Sequence, residues 1–236
     1  MKITRKMFAP VMALLAACLV QAADSKPIAR VIAVQDVETE DATGYATWLA
    51  KINDLIKTKL GVDGFYRVYQ SQYDGERTNS VRTVAIAESA AQLIKVSTAI
   101  ENDPVVIENR DHYRAIRKLG ARVLYQCVRF DGAVKPGHIY TTLATVTDEA
   151  GYLKALDQLR ATFDAKGFKD AKINVYRVTA GRTNHTHRVS IALPSAERLA
   201  ALLDFNATDA AQQEWIGTLT KYRTVVANMT AREITK

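Results

Sequence analysis

The feature that most limits the fold is self-similarity. Displaced by 107 positions, the chain meets itself without a gap: Asp41 falls on Asp148, Gly44 on Gly151, Tyr45 on Tyr152 and Leu49 on Leu156. Val68-Tyr69 likewise falls on Val175-Tyr176, and apolar character is kept where Ile52 meets Leu159 and Ile56 meets Phe163. After the next turn the displacement slips to 105, so that Thr78-Asn79 meets Thr183-Asn184, and Val84 and Ile86 meet Val189 and Ile191. A turn is where a length change is easiest to accommodate. A chain that repeats at this spacing is expected to be one unit built twice.

Each copy reads as the same order of elements. In the first, Ala29 to Val37 is rich in β-branched and small apolar residues and predicts a strand. Tyr45, Trp48, Leu49, Ile52, Leu55 and Ile56 then follow the three-and-four spacing of one helical face, closed by Gly61 and Gly64. Phe65 to Gln72 predicts a second strand, Asp74-Gly75 a hairpin turn, and Ser80 to Ala87 a third strand. Ser89 to Ile100 predicts a short helix, and Asp103-Pro104 starts another, an N-cap acceptor before a proline whose missing N–H costs nothing. Gly120 is expected to stop that helix, leaving Ala121 to Phe130 as the fourth strand.

The second copy predicts a strand from His138 to Val146, a helix from Asp148 to Lys166 and a strand from Lys172 to Thr179. An Ala180-Gly181 turn, a strand from His185 to Leu193, helices from near Pro194 and Thr208, and a last strand from about Thr224 to Ile234 complete it. The units are placed at residues 28–131 and 138–236, with the glycine- and proline-bearing segment 132–137 as linker. Strand, helix, strand, strand, helix, strand is the ferredoxin-like α+β order, with helices on one face of an antiparallel sheet.

In this order and its repetition the chain resembles the dimeric α+β barrel superfamily, which includes antibiotic-biosynthesis monooxygenases and NIPSNAP-like proteins. The resemblance implies that two ferredoxin-like units join their sheets into one barrel, with both halves supplied by one chain. It covers nearly everything after the leader, as an order of elements and a repeat, not as a catalytic signature. Haem-degrading members of that superfamily place an asparagine, a tryptophan and a histidine around the cavity. This chain has no tryptophan on the matching strands, so the resemblance does not carry that activity.

The first segment reads as an export leader. Lys2, Arg5 and Lys6 precede a mostly apolar stretch from Met7 to Val20, and Val20-Gln21-Ala22 offers small or modest side chains for cleavage, giving a leader over residues 1–22. The stretch is shorter than the roughly 20 residues a membrane-crossing helix needs. A second route stays open, because Leu15-Ala16-Ala17-Cys18 resembles a lipobox that would leave Cys18 as a lipid anchor, although Leu19 and Val20 continue the apolar run. The expected location is periplasmic or secreted, or lipid-anchored to a bacterial envelope.

Beyond Ala22 the one remaining cysteine is Cys127, so no intramolecular disulfide is expected there. Removing the leader's three basic residues lowers the formal charge from +7 to +4, and the rest are scattered. Nucleic-acid binding calls for a basic stripe, so that class is set aside.

Candidate chemistry concentrates on the strands. His185 and His187 are two apart and would share a face of a strand. Two imidazoles can hold a metal only with further ligands, and none is apparent nearby, so no metal and no cofactor is assigned. At a displacement of 105, Arg82 occupies the place of His187, each followed by apolar residues on its own face. With Tyr69 and Tyr176 on the preceding strands and Tyr113 and Tyr222 near the last helices, they could line a pocket for a small apolar, anionic or phenolic ligand. The competing reading is that the basic side chain reaches to solvent and the tyrosines fill the core. Trp48 falls on Ala155, so two such cavities would differ.

Arg77, Thr78 and Asn79 recur as Arg182, Thr183 and Asn184, where a capping role is expected. No nucleophile elbow, phosphate-cradling loop, paired-cysteine motif or dinucleotide fingerprint is present. The expectation is a binding protein for a small, partly apolar ligand or a protein partner. The alternative is a cofactor-independent, monooxygenase-like enzyme acting on a phenolic or quinone-like compound.

Overall fold

The helix that opens each half explains the repeated Asp-x-x-Gly-Tyr signature. In the computed structural model, which describes residues 30–73, 80–134 and 137–235, α1 spans Ala42–Leu60 and α5 spans Glu149–Ala165. Asp41 accepts a hydrogen bond from the Gly44 N–H at 2.8 Å, and Asp148 from the Gly151 N–H at 2.9 Å. Each side chain satisfies a donor that a helix start leaves open. A Cβ on Gly44 would lie 2.0 Å from the Asp41 carboxylate, and one on Gly151 would lie 2.5 Å from the Tyr222 ring. Only glycine fits either place.

The strands are β1 (Val31–Thr39), β2 (Tyr66–Tyr73), β3 (Ser80–Ala87), β4 (Arg117–Phe130), β5 (His138–Val146), β6 (Lys172–Ala180), β7 (His187–Leu193) and β8 (Arg223–Glu233). The remaining helices are α2 (Ala90–Glu101), α3 (Pro104–Glu108), α4 (Arg110–Ala115), α6 (Ala196–Thr208) and α7 (Ala210–Thr218), with a 3-10 turn at Leu219–Lys221. Each half makes an antiparallel sheet, and β2–β8 and β4–β6 pairing closes the two into one barrel in the order β1-β3-β2-β8-β5-β7-β6-β4. The fold is α+β, two ferredoxin-like units sharing one barrel. Closure leaves no open edge among the described strands.

Alternation along the strands divides the apolar residues into three groups. Val31, Ala33, Val81 and Ala85 face α1 and α2, together with Tyr45, Trp48, Leu49, Ile52 and Leu93. Ile173, Val175, Val189 and Ile191 face α5 and α6, together with Tyr152, Leu156, Phe163, Leu199 and Leu202. Ile32, Val34, Tyr69, Val84, Val123, Tyr125 and Tyr176 point into the barrel bore. Each fully buried large apolar side chain contributes about 1.5–3 kcal/mol of transfer free energy. Among the described residues no helix is long and apolar enough to cross a membrane.

The structure corrects two sequence expectations here. The helix expected to run to Gly120 ends at Ala115, and Gly120 lies inside β4. The β1–β4 register shifts between Gln35 and Val37, and a Cβ on Gly120 would stand 3.2 Å from the Asp36 Cβ. The glycine therefore makes room at an irregularity in the ladder and does not end a helix. His185 was expected inside a strand, but β7 starts at His187. The proposed leader, Cys18, the Asp74-Gly75 turn, Arg77, Thr78, Asn79 and Pro136 lie outside the described residues.

Candidate functional site

Between α1, α2 and the outer face of β1 and β3 lies a cavity of about 220 Å³. It exists because the residues facing it across that space are small: Ala33 on β1, Thr83 and Ala85 on β3, and Ser97 on α2. Tyr45, Trp48 and Tyr66 supply aromatic walls, and the Arg117 side chain closes one side. Trp48 stacks on Tyr113 with ring centroids 3.9 Å apart and planes within 14°. A second depression, of about 420 Å³, lies against the same Trp48, Tyr113 and Arg117 and is also bordered by Arg110 and Arg114.

Two polar atoms of this cavity are buried without hydrogen-bond partners, Arg117 Nε and Ser97 Oγ. Ser97 approaches the Tyr66 hydroxyl, but not in hydrogen-bonding geometry. The Arg117 guanidinium carbon sits 5.6 Å from the centre of the Tyr45 ring, and its Nη1 reaches the Tyr45 hydroxyl at 3.5 Å. That hydroxyl also shares a 2.8 Å hydrogen bond with Thr83. Burial pushes the Tyr66 phenol above its ordinary range, with Arg122 pulling the other way, so it is a neutral donor at physiological pH. The arrangement is an apolar slot with a cation and hydroxyls converging at one side.

The corresponding positions of the second half carry larger side chains. Strand pairing sets Ala33 opposite Ala85 in one half and Tyr140 opposite Ile191 in the other. Capping serines Ser89 and Ser195 align α2 with α6, which puts Leu203 in the place of Ser97. Tyr140, Val189, Ile191 and Leu203 all pack into the second core. Arg223 holds the place of Arg117 and donates to the Tyr152 hydroxyl.

The sequence-predicted residues divide between three places. Tyr69, Tyr176 and Arg82 point into the barrel bore. Arg82 bonds Asp36 Oδ1 at 3.1 Å and Ser71 Oγ at 3.1 Å, so it belongs to a polar network inside the barrel and does not reach to solvent. Burial pushes the phenols of Tyr69 and Tyr176 upward. Tyr113 stacks on Trp48 and lines the second depression on the helix side.

His187 is the principal correction. Arg82 pairs across the sheet with Tyr69, whereas Tyr176 pairs with Arg188. The correspondence is therefore Arg82 with Arg188, one residue along from the assumed one. A shift of one residue turns a strand side chain to the opposite face. His187 accordingly lies on the outer face, its Nε2 2.7 Å from Glu149 Oε2 at the start of α5.

His185 lies elsewhere, 2.9 Å from the Tyr125 hydroxyl through Nε2 and 2.5 Å from Thr183 Oγ1 through Nδ1. The two histidines thus serve separate contacts. Thr183 accepts from the His185 backbone N–H at 3.4 Å, as a capping residue would, and its hydroxyl also contacts the His185 ring. Burial first, then the nearby Arg188 and His187, lower the His185 pKa.

Sequence reasoning missed Ser97, Tyr66, Arg117 and Arg188. The available signal was a comparison of the halves for residue size after a one-residue adjustment beyond the hairpin.

No family model and no curated protein matches this sequence. Solved structures do. A candidate monooxygenase from Lactobacillus acidophilus is similar with a TM-score of 0.55 at 9% identity, over 87% of this chain and 93% of that one. An anthrone oxidase-like protein is similar with a TM-score of 0.52 at 13% identity, over 86% and 91%. A haem-binding protein from Thermus thermophilus is similar with a TM-score of 0.52 at 8% identity, over 87% and 91%. These neighbours belong to the dimeric α+β barrel superfamily, and the likeness is one of fold.

Haem does not fit the residues found here. The cavity lining includes no histidine, cysteine or methionine. The tyrosine alternative would need a phenolate, which burial of Tyr66 disfavours. In the second half the equivalent space is occupied by Tyr140, Val189, Ile191 and Leu203.

Proposed function

We propose that this chain is an exported binding protein for a small, partly apolar ligand, one or two aromatic rings in size and bearing an anionic or phenolic oxygen. The ligand occupies the first-half cavity, with its ring against Trp48 and Tyr45 and its oxygen toward Arg117 and Ser97. The observation that carries this reading is the pair of buried, unpartnered polar atoms, Arg117 Nε and Ser97 Oγ, on an otherwise apolar cavity of about 220 Å³. An unmet buried donor costs about 1–3 kcal/mol, which a ligand oxygen would recover. The volume lies below the ~300–1,000 Å³ of sites for drug-sized molecules, which favours a compact ligand.

The two halves are read as a tandem duplication in which one helix–sheet space stayed open and the other was filled. Support comes from the repeated capping signature and the matched arginine–tyrosine pairs, Arg117 on Tyr45 and Arg223 on Tyr152.

The fold-level likeness to a candidate monooxygenase favours a second reading, oxygenation of a phenolic or quinone-like compound in the same cavity. It ranks second because the lining supplies one carboxylate, the exposed Glu101, and no histidine to accept a proton.

The test uses Trp215→Phe, which leaves Trp48 as the one fluorophore of its kind. Titration with 1-naphthol and 4-hydroxybenzoate is expected to quench Trp48 saturably, and Ser97→Leu is expected to abolish the effect. Linear, unsaturable quenching with both probes, unchanged by Ser97→Leu, refutes the binding reading. Oxygen uptake on hydroquinone that disappears in Ser97→Leu would promote the second reading over the first.

A further inference from the structure

A separate feature lies inside the barrel. Arg188 is 8% exposed and points into the bore, where it donates to Ser190 Oγ at 3.2 Å and Thr141 Oγ1 at 3.4 Å. The phenols of Tyr125, Tyr176 and Tyr69 and a second cation, Arg82, act on its charge, with Tyr125 within hydrogen-bonding reach. Among the described residues no carboxylate pairs with it. Asp36 is paired with Arg82 at 3.1 Å, and Glu233 stands 3.8 Å from Arg67. Guanidinium does not give up its proton in proteins, so the bore keeps this charge.

The same residue lines a bore cavity of about 70 Å³, together with Arg30, Arg67, Tyr69, Tyr176 and Asn174. Arg67 is a further cation at this cavity, paired at long range with the buried Glu233. Its Nε is buried without a hydrogen-bond partner, and its nearest carboxylate oxygen, on Glu233, stands 3.8 Å away. The tyrosines do not supply the missing negative charge, because burial raises the pKa of Tyr69, Tyr125 and Tyr176. A buried charge without a counter-charge is strongly destabilising. A pocket of this size takes two or three waters, or one ion of a few heavy atoms.

We propose that the barrel bore is a binding site for a small monovalent anion, a halide or an oxyanion of nitrate or formate size, held by Arg188 and Arg67. The ion is the counter-charge that no carboxylate among the described residues provides for Arg188. This site is distinct from the helix-side cavity and does not depend on its occupancy.

Thermal unfolding of the full chain would be followed while sodium gluconate is replaced by sodium nitrate or formate at constant ionic strength. Gluconate is too large for the bore. The expected result is a saturable rise of the midpoint, by roughly 5–10 °C at about a hundredfold above Kd. Arg188→Met should lose this dependence, and in gluconate alone it should unfold no lower than the unsubstituted protein. A midpoint that does not respond, a response without saturation (a general salt effect only), or a response that persists in Arg188→Met overturns the proposal. Should Arg188→Met fail to fold, chloride-35 line broadening on the unsubstituted protein decides: broadening reversed by formate supports the site, and none overturns it.

Discussion

Two helices begin with the same turn and face opposite kinds of interior. On α1 the residues after Tyr45 look onto Ala33, Thr83, Ala85 and Ser97, and a cavity remains. On α5 the residues after Tyr152 look onto the larger Tyr140, Val189, Ile191 and Leu203, which pack into the second core. The starts of α1 and α5 and the capping of α2 and α6 are alike in both halves, so at these facing positions the difference is one of side-chain volume. Trp48 against Ala155 runs the other way, a large residue on the open side. Its ring closes the cavity against Tyr113 and does not fill it. Two halves with the same order of strands can thus differ in how tightly helix and sheet pack, through side-chain size on the facing positions.

The largest expected effect tests the filled side. Phe163 is fully buried, and Phe163→Ala should cost about 3–5 kcal/mol, read as a fall in the urea midpoint. Trp48→Ala should cost less, because part of its ring already faces empty space and forfeits fewer dispersion contacts. Equal costs would mean that the two interiors are equally packed, and the comparison would fail.

Next come exchanges of the residues that set the volume. Leu203→Ser should destabilise by about 1–3 kcal/mol, since it removes packing and buries a hydroxyl. Ser97→Leu should leave stability within about 1 kcal/mol while lowering ligand affinity at least tenfold, about 1.4 kcal/mol. Denaturation and fluorescence titration of both variants check the pair. Matching losses of stability would remove the functional distinction between the halves.

The two equivalent arginines sharpen it further. Arg223 donates to the Tyr152 hydroxyl over a packed core, so Arg223→Met should lower stability by about 1 kcal/mol. Arg117 has an unpartnered Nε beside the cavity. Arg117→Met should therefore weaken ligand binding with a smaller change in unfolding midpoint. The reverse pattern would place the ligand elsewhere.

The order of elements was legible because capping and periodicity are local. Asp41 and Gly44, three apart, write the helix start into the sequence, and Ser89 and Ser195 do the same for α2 and α6. The site was much less legible. A cavity depends on residues such as Ala33 and Ser97, which meet only after folding. The facing of His187 depended on a one-residue difference in the hairpin before it, and in a period of two that reverses every assignment. Arg188 was hidden for the same reason.

The smallest expected effect concerns His185, a residue that belongs to the second half's end of the bore. Its pKa is lowered, chiefly by burial and then by Arg188 and His187, from the ordinary value of 6.5. Above that value the imidazole is neutral in both folded and unfolded chains and adds no pH dependence. As pH falls below about 6.5, the unfolded chain takes up a proton that the folded chain refuses, so stability is lost down to the folded pKa and then levels off. Other groups titrate over the same range, so the informative quantity is a difference between proteins. The drop in urea midpoint from pH 7.5 to 5.0 should be smaller in His185→Gln than in the unsubstituted chain. Identical drops would mean that the proton enters the folded bore freely, and that the Tyr125–His185 contact is more open to water than its 2.9 Å hydrogen bond and 8% exposure imply.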